Sequence, residues 1–138
     1  EPVMELIQAK QKKIAVLAKA KAMSGNEYAS EAVELGKLYE KFCPIKTMYD
    51  TVCPDAARIY KEISQDFPAA PGADYAFLRV QMSKFSYEYE GDEIARSNDI
   101  VRLYGPFLEK YPNSSLSAGI QKSYEEAKRT LERGIKTR

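Results

Sequence analysis

Two cysteines are the residues of this chain best suited to covalent chemistry. Cys43 and Cys53 enclose nine residues, between the predicted end of one helix and the predicted start of the next. A disulfide there requires Cα atoms within about 7 Å, which two neighbouring antiparallel helix ends can provide. If the bridge forms, an oxidising compartment follows. The alternative is a pair of unlinked buried thiols.

The sequence offers little other chemistry. Histidine is absent, and with it the commonest general base and the commonest metal ligand. Neither cysteine therefore has a histidine partner for nucleophilic catalysis, and no further soft ligands are grouped near them for a metal. The seven glycines are scattered, so there is no glycine-rich phosphate loop. We predict a protein that is not an enzyme and that holds no metal and no cofactor.

The charged residues are balanced in number but unevenly distributed. The formal net charge is +1, which by itself predicts neither a nucleic-acid partner nor a membrane partner. The first and last predicted helices are basic, whereas residues 88–93 contain four carboxylates. The spacing of these carboxylates does not match that of a calcium-binding loop. The chain has no apolar run of about 18 residues, so it is predicted not to span a membrane.

Ten tyrosines could form a platform for nucleic-acid bases, which stack on aromatic side chains. Most of these tyrosines, however, fall on the apolar stripes of predicted helices, where core packing explains them. Tyr49 and Tyr87 are the better candidates for exposed contacts. Because the net charge is close to zero, nucleic-acid binding is the least favoured function.

Apolar residues recur at helical spacing along most of the chain. The stripes predict six helices and no convincing strand. The fifth helix contains Gly105-Pro106, which should either bend it or divide it into two shorter pieces. The segment 44–53 has no clear period and is predicted to be a loop. The predicted helices cover about residues 3–24, 27–42, 54–66, 73–90, 93–110 and 116–135.

One phrase occurs twice, as RIYKEISQDFP at residues 58–68 and as RLYGPFLEKYP at residues 102–112. The matched apolar positions are spaced by three, four and seven residues, so each copy forms one stripe of a helix that ends at an aromatic-proline pair. A helical period of about 30 to 50 residues indicates a solenoid of helix pairs. We predict an all-α fold, a short solenoid of about six antiparallel helices. The predicted single domain is 1–138, with a first helix pair at 1–43, a loop at 44–53, and the second and third pairs at 54–138.

Several turns resemble those of tetratricopeptide repeats. Gly25, Tyr28 and Ala32 match the glycine turn, the aromatic residue that follows it and the small residue where two helices cross. The elements FPAAPGADYA at 67–76 and FLEKYPNSS at 107–115 are similar to those of tetratricopeptide-like lipoproteins of Gram-negative envelopes. Over about residues 55–130 the chain most resembles the BamD family of the outer-membrane β-barrel assembly machinery.

This resemblance implies tetratricopeptide-like helix pairs and a non-catalytic periplasmic scaffold, associated with the outer membrane of a Gram-negative bacterium. Its partner would be a protein, either an outer-membrane β-barrel or an extended peptide. The chain begins with Glu1-Pro2 rather than Met, which predicts a trimmed product, attached to the membrane by association or by a lipid anchor missing from this sequence. One alternative is a structural subunit packed permanently into a secretion, pilus or motor complex. A nucleic-acid-binding helical domain is the less favoured alternative.

The partner-binding surface is predicted on two helices. In helical solenoids the first helix of each pair lines the concave face, which nominates the exposed side of helix four. The basic final helix is the second candidate. We expect Arg79→Glu to weaken partner binding without unfolding the domain. The predicted partner-binding residues are Arg79, Gln81, Lys84, Tyr87, Lys128 and Arg129.

Overall fold

The computed structural model describes residues 2–20, 25–42, 53–86 and 89–136 of the chain. Within these ranges the chain is all-α and contains no strand, which confirms the predicted fold class. The six helices are α1 (Pro2–Ala20), α2 (Gly25–Lys41), α3 (Pro54–Asp66), α4 (Ala73–Met82), α5 (Glu93–Lys110) and α6 (Ser117–Lys136). Successive helices pack together as in a short helical repeat, α1 on α2, α2 on α3 and α5 on α6.

The chain divides into two compact units, residues 1–80 and residues 81–138. The first unit contains α1, α2, α3 and most of α4, and the second contains the end of α4 with α5 and α6. The single domain over 1–138 remains a prediction. Of the predicted loop 44–53, only Cys53 lies among the described residues.

Helix α4 is shorter than the helix predicted over 73–90, because it ends at Met82. The amides of Lys84 and Phe85 donate to carbonyls three residues back rather than four, at 3.0 and 3.3 Å. Such bonds tighten the last turn, and the chain then leaves the helix. Phe85 keeps the apolar spacing of the helix beyond Met82, although it lies in a non-helical segment. It is apolar because its ring packs on that of Tyr104.

Helix α5 continues through Gly105-Pro106 as a single helix. Pro106 has no N–H to donate to the carbonyl of Arg102. Arg102 and Pro106 are both exposed, so water can donate a hydrogen bond to the carbonyl of Arg102. The helix is therefore not divided.

The doubled phrase forms two matching helix ends. The residues that end α3 and α5 are Phe67, with φ −133° and ψ 55°, and Tyr111, with φ −129° and ψ 58°. Their amides donate to the carbonyls of Ile63 and Phe107 at 2.9 and 2.8 Å. The repeat predicted from the sequence is therefore a repeat of backbone conformation.

The match extends through the turn that follows each helix. In the first copy the amides of Ala70 and Ala73 each donate to the carbonyl three residues back, both at 3.0 Å. In the second copy Ser114 and Ser117 do the same at 3.2 and 3.0 Å. The copies differ at Gly72, whose φ is +87° and whose counterpart in the second copy has no positive φ. The segments α3–turn–α4 and α5–turn–α6 are thus two copies of one helix–turn–helix.

Small residues on α2 allow α3 to approach closely. Ala29, Ala32 and Gly36 are buried and lie at intervals of three and four residues along one face. A Cβ on Gly36 would lie 2.6 Å from Cε1 of Tyr60, whose side chain is completely buried. The tyrosine ring therefore fills the space left by the missing side chain, and this contact sets the distance between α2 and α3.

Candidate functional site

A polar cluster joins three helices of the first unit around the carboxylate of Glu40 on α2. The hydroxyls of Tyr60 on α3 and Tyr75 on α4 donate to Oε2 at 2.5 and 3.1 Å. Nε of Arg79 donates to Oε1 at 2.9 Å, and Nη2 of the same guanidinium bonds the same oxygen. Nζ of Lys37 lies 5.0 Å from the centroid of the Tyr75 ring. We call these five residues the Glu40 cluster.

Apart from Lys37, which is exposed, the Glu40 cluster is largely shielded from water. The side chains of Glu40 and Arg79 are 13% and 18% exposed. Burial, followed by the neighbouring carboxylate, raises the pKa of Tyr60 and that of Tyr75 above their ordinary value. Among the described residues no buried side-chain nitrogen or oxygen lacks a hydrogen-bond partner. The arrangement therefore holds α2, α3 and α4 together.

The phenol of Tyr60 makes the free energy of unfolding decrease as the pH rises in the alkaline range. Its raised pKa means that its contribution is complete below its ordinary pKa of 10.0 and is lost as the pH rises further. Above that pH the unfolded chain loses the phenol proton and the folded chain keeps it, which costs about 1.4 kcal/mol per pH unit. We expect the free energy of unfolding in urea to fall more steeply above about pH 10 in the parent than in Tyr60→Phe. Equal slopes would contradict this assignment.

An open cleft of about 610 Å³ lies in the second unit. It is formed by the end of α4, the segment after it, α5, and Ser123 of α6. The rings of Phe85 and Tyr104 meet edge to face in it, with centroids 5.4 Å apart and planes inclined at 70°. The half-buried lining is apolar and aromatic. It consists of Met82, Phe85, Tyr89, Ile100 and Tyr104.

Exposed charged side chains edge this cleft. They are the carboxylates of Glu90, Asp92 and Glu93 and the guanidinium of Arg96. Asp92 caps α5, because its Oδ1 accepts a hydrogen bond at 3.0 Å from the amide of the third residue of that helix. Glu90 has a φ of 47°, in the left-handed region, and a glycine follows it with a φ of 86°. This turn places the carboxylates beside the aromatic lining.

Tyr89 is tied to α5 through Asp99. Its hydroxyl donates to Oδ2 of Asp99 at 2.6 Å, and Nη2 of Arg102 donates to Oδ1 at 2.9 Å. Partial burial alone would raise the pKa of Asp99, but these hydrogen bonds outweigh it and the pKa is lowered. The ionised carboxylate thereby holds the Tyr89 ring in the cleft lining.

The predicted partner-binding residues of helix four do not form an exposed surface. Gln81 is only 6% exposed, because its Nε2 donates to the carbonyl oxygen of Leu103 at 2.8 Å. Arg79 is turned toward Glu40, so Arg79→Glu would set a second carboxylate against that one. The expectation that these two residues face solvent is wrong. Lys84 is exposed, with Nζ donating to Oε1 of Gln81 at 3.2 Å, and Tyr87 lies outside the described residues.

Of the remaining predicted residues, two are exposed, one is buried and one lies outside the described residues. Lys128 and Arg129 are exposed on α6, and Nζ of Lys128 lies 5.4 Å from the centroid of the Tyr124 ring. Their role in partner binding remains a prediction. Cys53 is buried immediately before α3, and Cys43 lies outside the described residues.

Apolar periodicity does not reveal the cleft. It assigns Phe85 and Tyr89 to a helix and Tyr104 to a packing stripe, because all three follow helical spacing. The usable signal is the Gly91-Asp92 turn, which has aromatic and acidic residues just before it. The helix ends at Met82, well before that turn, so Phe85 and Tyr89 lie outside it and line the cleft.

In the part of the chain that the structure describes, no three His, Cys, Asp or Glu side chains are grouped as a metal site would require. Its helices include none with the length and apolar character needed to cross a bilayer. Comparison with protein-family models, with curated proteins and with solved structures gave no match.

Proposed function

We propose that this protein is a non-catalytic scaffold that binds a protein partner through its helical repeats. The observation that carries the proposal is the duplicated helix–turn–helix, in which α3 and α5 end in the same backbone conformation and lead into the same turn. In repeat proteins, helix pairs present successive helix faces at a regular spacing, which suits such proteins to hold other proteins. The open, aromatic cleft of the second unit supports the same proposal.

The proposed location is the periplasm, in association with the outer membrane of a Gram-negative bacterium. The support is the resemblance of residues 55–130 to the BamD family, which also makes an outer-membrane β-barrel or an extended peptide the proposed partner. Association with the membrane would then come from that partner or from a lipid anchor.

A disulfide between Cys43 and Cys53 is part of this proposal, since it fits an oxidising compartment. Cys53 is buried at the start of α3. Peptide mapping of the unreduced protein should recover the two cysteine peptides as one linked species. Two separate thiol peptides, each blocked by an alkylating reagent, would exclude the bridge.

Capture of the partner tests the scaffold proposal. The full chain, tagged and returned to a Gram-negative envelope extract, should retain a protein at a stoichiometric ratio, identified by mass spectrometry. Lys128→Glu with Arg129→Glu should weaken that complex about tenfold, as loss of charge complementarity at an interface does. A matched control is Arg58→Glu with Lys61→Glu, which reverses two exposed charges on α3. Failure to retain any protein above the level of an unrelated tagged helical protein would overturn the proposal.

Two further readouts distinguish the alternatives. A permanent structural subunit would not exchange with added labelled chain over hours, whereas a scaffold that cycles would. A nucleic-acid binder would lose its ligand on nuclease treatment and would weaken steeply as salt is raised.

A further inference from the structure

We propose that the cleft of the second unit binds a protein segment that presents a lysine or arginine beside an apolar side chain. This inference rests on the proposed scaffold function and names the chemistry that one of its surfaces recognises. The evidence is the combination of an aromatic lining with carboxylates at its edge.

The aromatic lining and the charged edge both favour a cation. Phe85, Tyr89 and Tyr104 line the cleft, and an ammonium or guanidinium group is attracted to the face of an aromatic ring within about 6 Å. Among the described residues, the cleft is edged by three carboxylates and one guanidinium, that of Arg96. Arg133 lines a second depression with Asp92 and Glu93, so its positive charge offsets part of their negative charge. The balance at the cleft remains acidic.

The carboxylates at and near the cleft differ in the interactions that they make. Asp92 is engaged in capping α5, and Asp99 is engaged with Tyr89 and Arg102. Glu90 and Glu93 are exposed at the edge and stand outside both arrangements. They are therefore the carboxylates that we assign to the incoming cation.

The size and opening of the cleft favour a chain segment over an isolated cation. A volume of about 610 Å³ exceeds that of one side chain, and the cleft is open to solvent rather than enclosed. Met82 and Ile100 add half-buried apolar surface beside the rings. An apolar side chain next to the cation would cover this surface and add affinity through burial.

The test measures the binding of short labelled peptides to the full chain. One peptide contains lysine, leucine and glycine, a second has glutamate in place of lysine, and a third has serine in place of leucine. The first should bind most tightly, and its affinity should fall as salt is raised. In a ¹⁵N spectrum of the protein the shifted amides should include those of Phe85, Ile100 and Tyr104.

Matched variants locate the binding. Glu90→Gln with Glu93→Gln should weaken the lysine peptide about five- to tenfold, the effect of losing two partly exposed charge pairs. Glu109→Gln with Glu126→Gln removes two exposed carboxylates of the same unit away from the cleft and should leave affinity unchanged. Circular dichroism and thermal unfolding of both variants would show that each remains folded.

Several outcomes would overturn the assignment. These are no binding of the lysine peptide, equal binding of the glutamate peptide, or equal affinity in the two double variants. Self-association of the chain that the cleft variant abolishes would also overturn it, because a second copy would then be the occupant. If a captured protein binds the cleft variant as tightly as it binds the parent, the cleft is not its binding site. The scaffold proposal would then still stand. Peptide binding that depends on the cleft, without any captured protein, would support the cleft assignment and overturn the scaffold proposal.

Discussion

Arg79→Met is expected to lower the free energy of unfolding by about 3 kcal/mol, the cost of leaving a mostly buried charge without its partner. The carboxylate of Glu40 is 13% exposed, and the guanidinium of Arg79 bonds its Oε1 through two nitrogens. Methionine retains most of the apolar stem of arginine but cannot compensate the charge. Urea unfolding followed by circular dichroism measures the loss.

Arg58→Met is the matched control for that prediction. Arg58 also pairs with a carboxylate, that of Asp55 at 2.8 Å, but the two side chains are 78% and 58% exposed. Solvent screens this pair, so we expect a loss below about 0.5 kcal/mol. The combination Glu40→Gln with Arg79→Met should recover part of the loss, because a buried amide needs no counter-charge. Similar small losses at Arg79 and Arg58 would show that the Glu40 cluster contributes little to stability.

Gly36→Ala is expected to lower the free energy of unfolding by about 2 kcal/mol, as overpacking of a well-filled core does. The added Cβ would lie 2.6 Å from Cε1 and 3.0 Å from Cζ of Tyr60. That ring is completely buried and its hydroxyl is bound to Glu40, so it cannot move aside without disturbing the Glu40 cluster. Thermal or urea unfolding measures the change.

Gly119→Ala serves as the control, since a Cβ at that helical position meets nothing within 4 Å. There alanine should stabilise the protein by about 0.5 to 1 kcal/mol, the usual advantage of alanine over glycine inside a helix. A stabilising effect at both glycines would contradict the close approach of α2 and α3 around Tyr60.

Local sequence pattern was sufficient for the helices and for the repeat. The all-α class follows from apolar residues at helical spacing, and the matching ends of α3 and α5 follow from an aromatic residue followed by proline. These features depend on neighbours within about one or two helical turns, which is why a single sequence reveals them. The same pattern overextends α4 past Met82, since Phe85 keeps the helical spacing while it packs on Tyr104 from outside a helix.

Only tertiary structure decided what the polar residues do. Periodicity places Arg79 and Gln81 on a helix surface, yet one pairs with Glu40 from another helix and the other bonds the carbonyl of Leu103. The partners are separated in sequence by 39 and 22 residues, and no local rule links positions so far apart. The cleft likewise combines α4, α5 and α6, so its aromatic lining and acidic edge meet only after the helices have packed. Whether a polar side chain is available to a partner depends on whether a group distant in sequence already binds it in the folded chain.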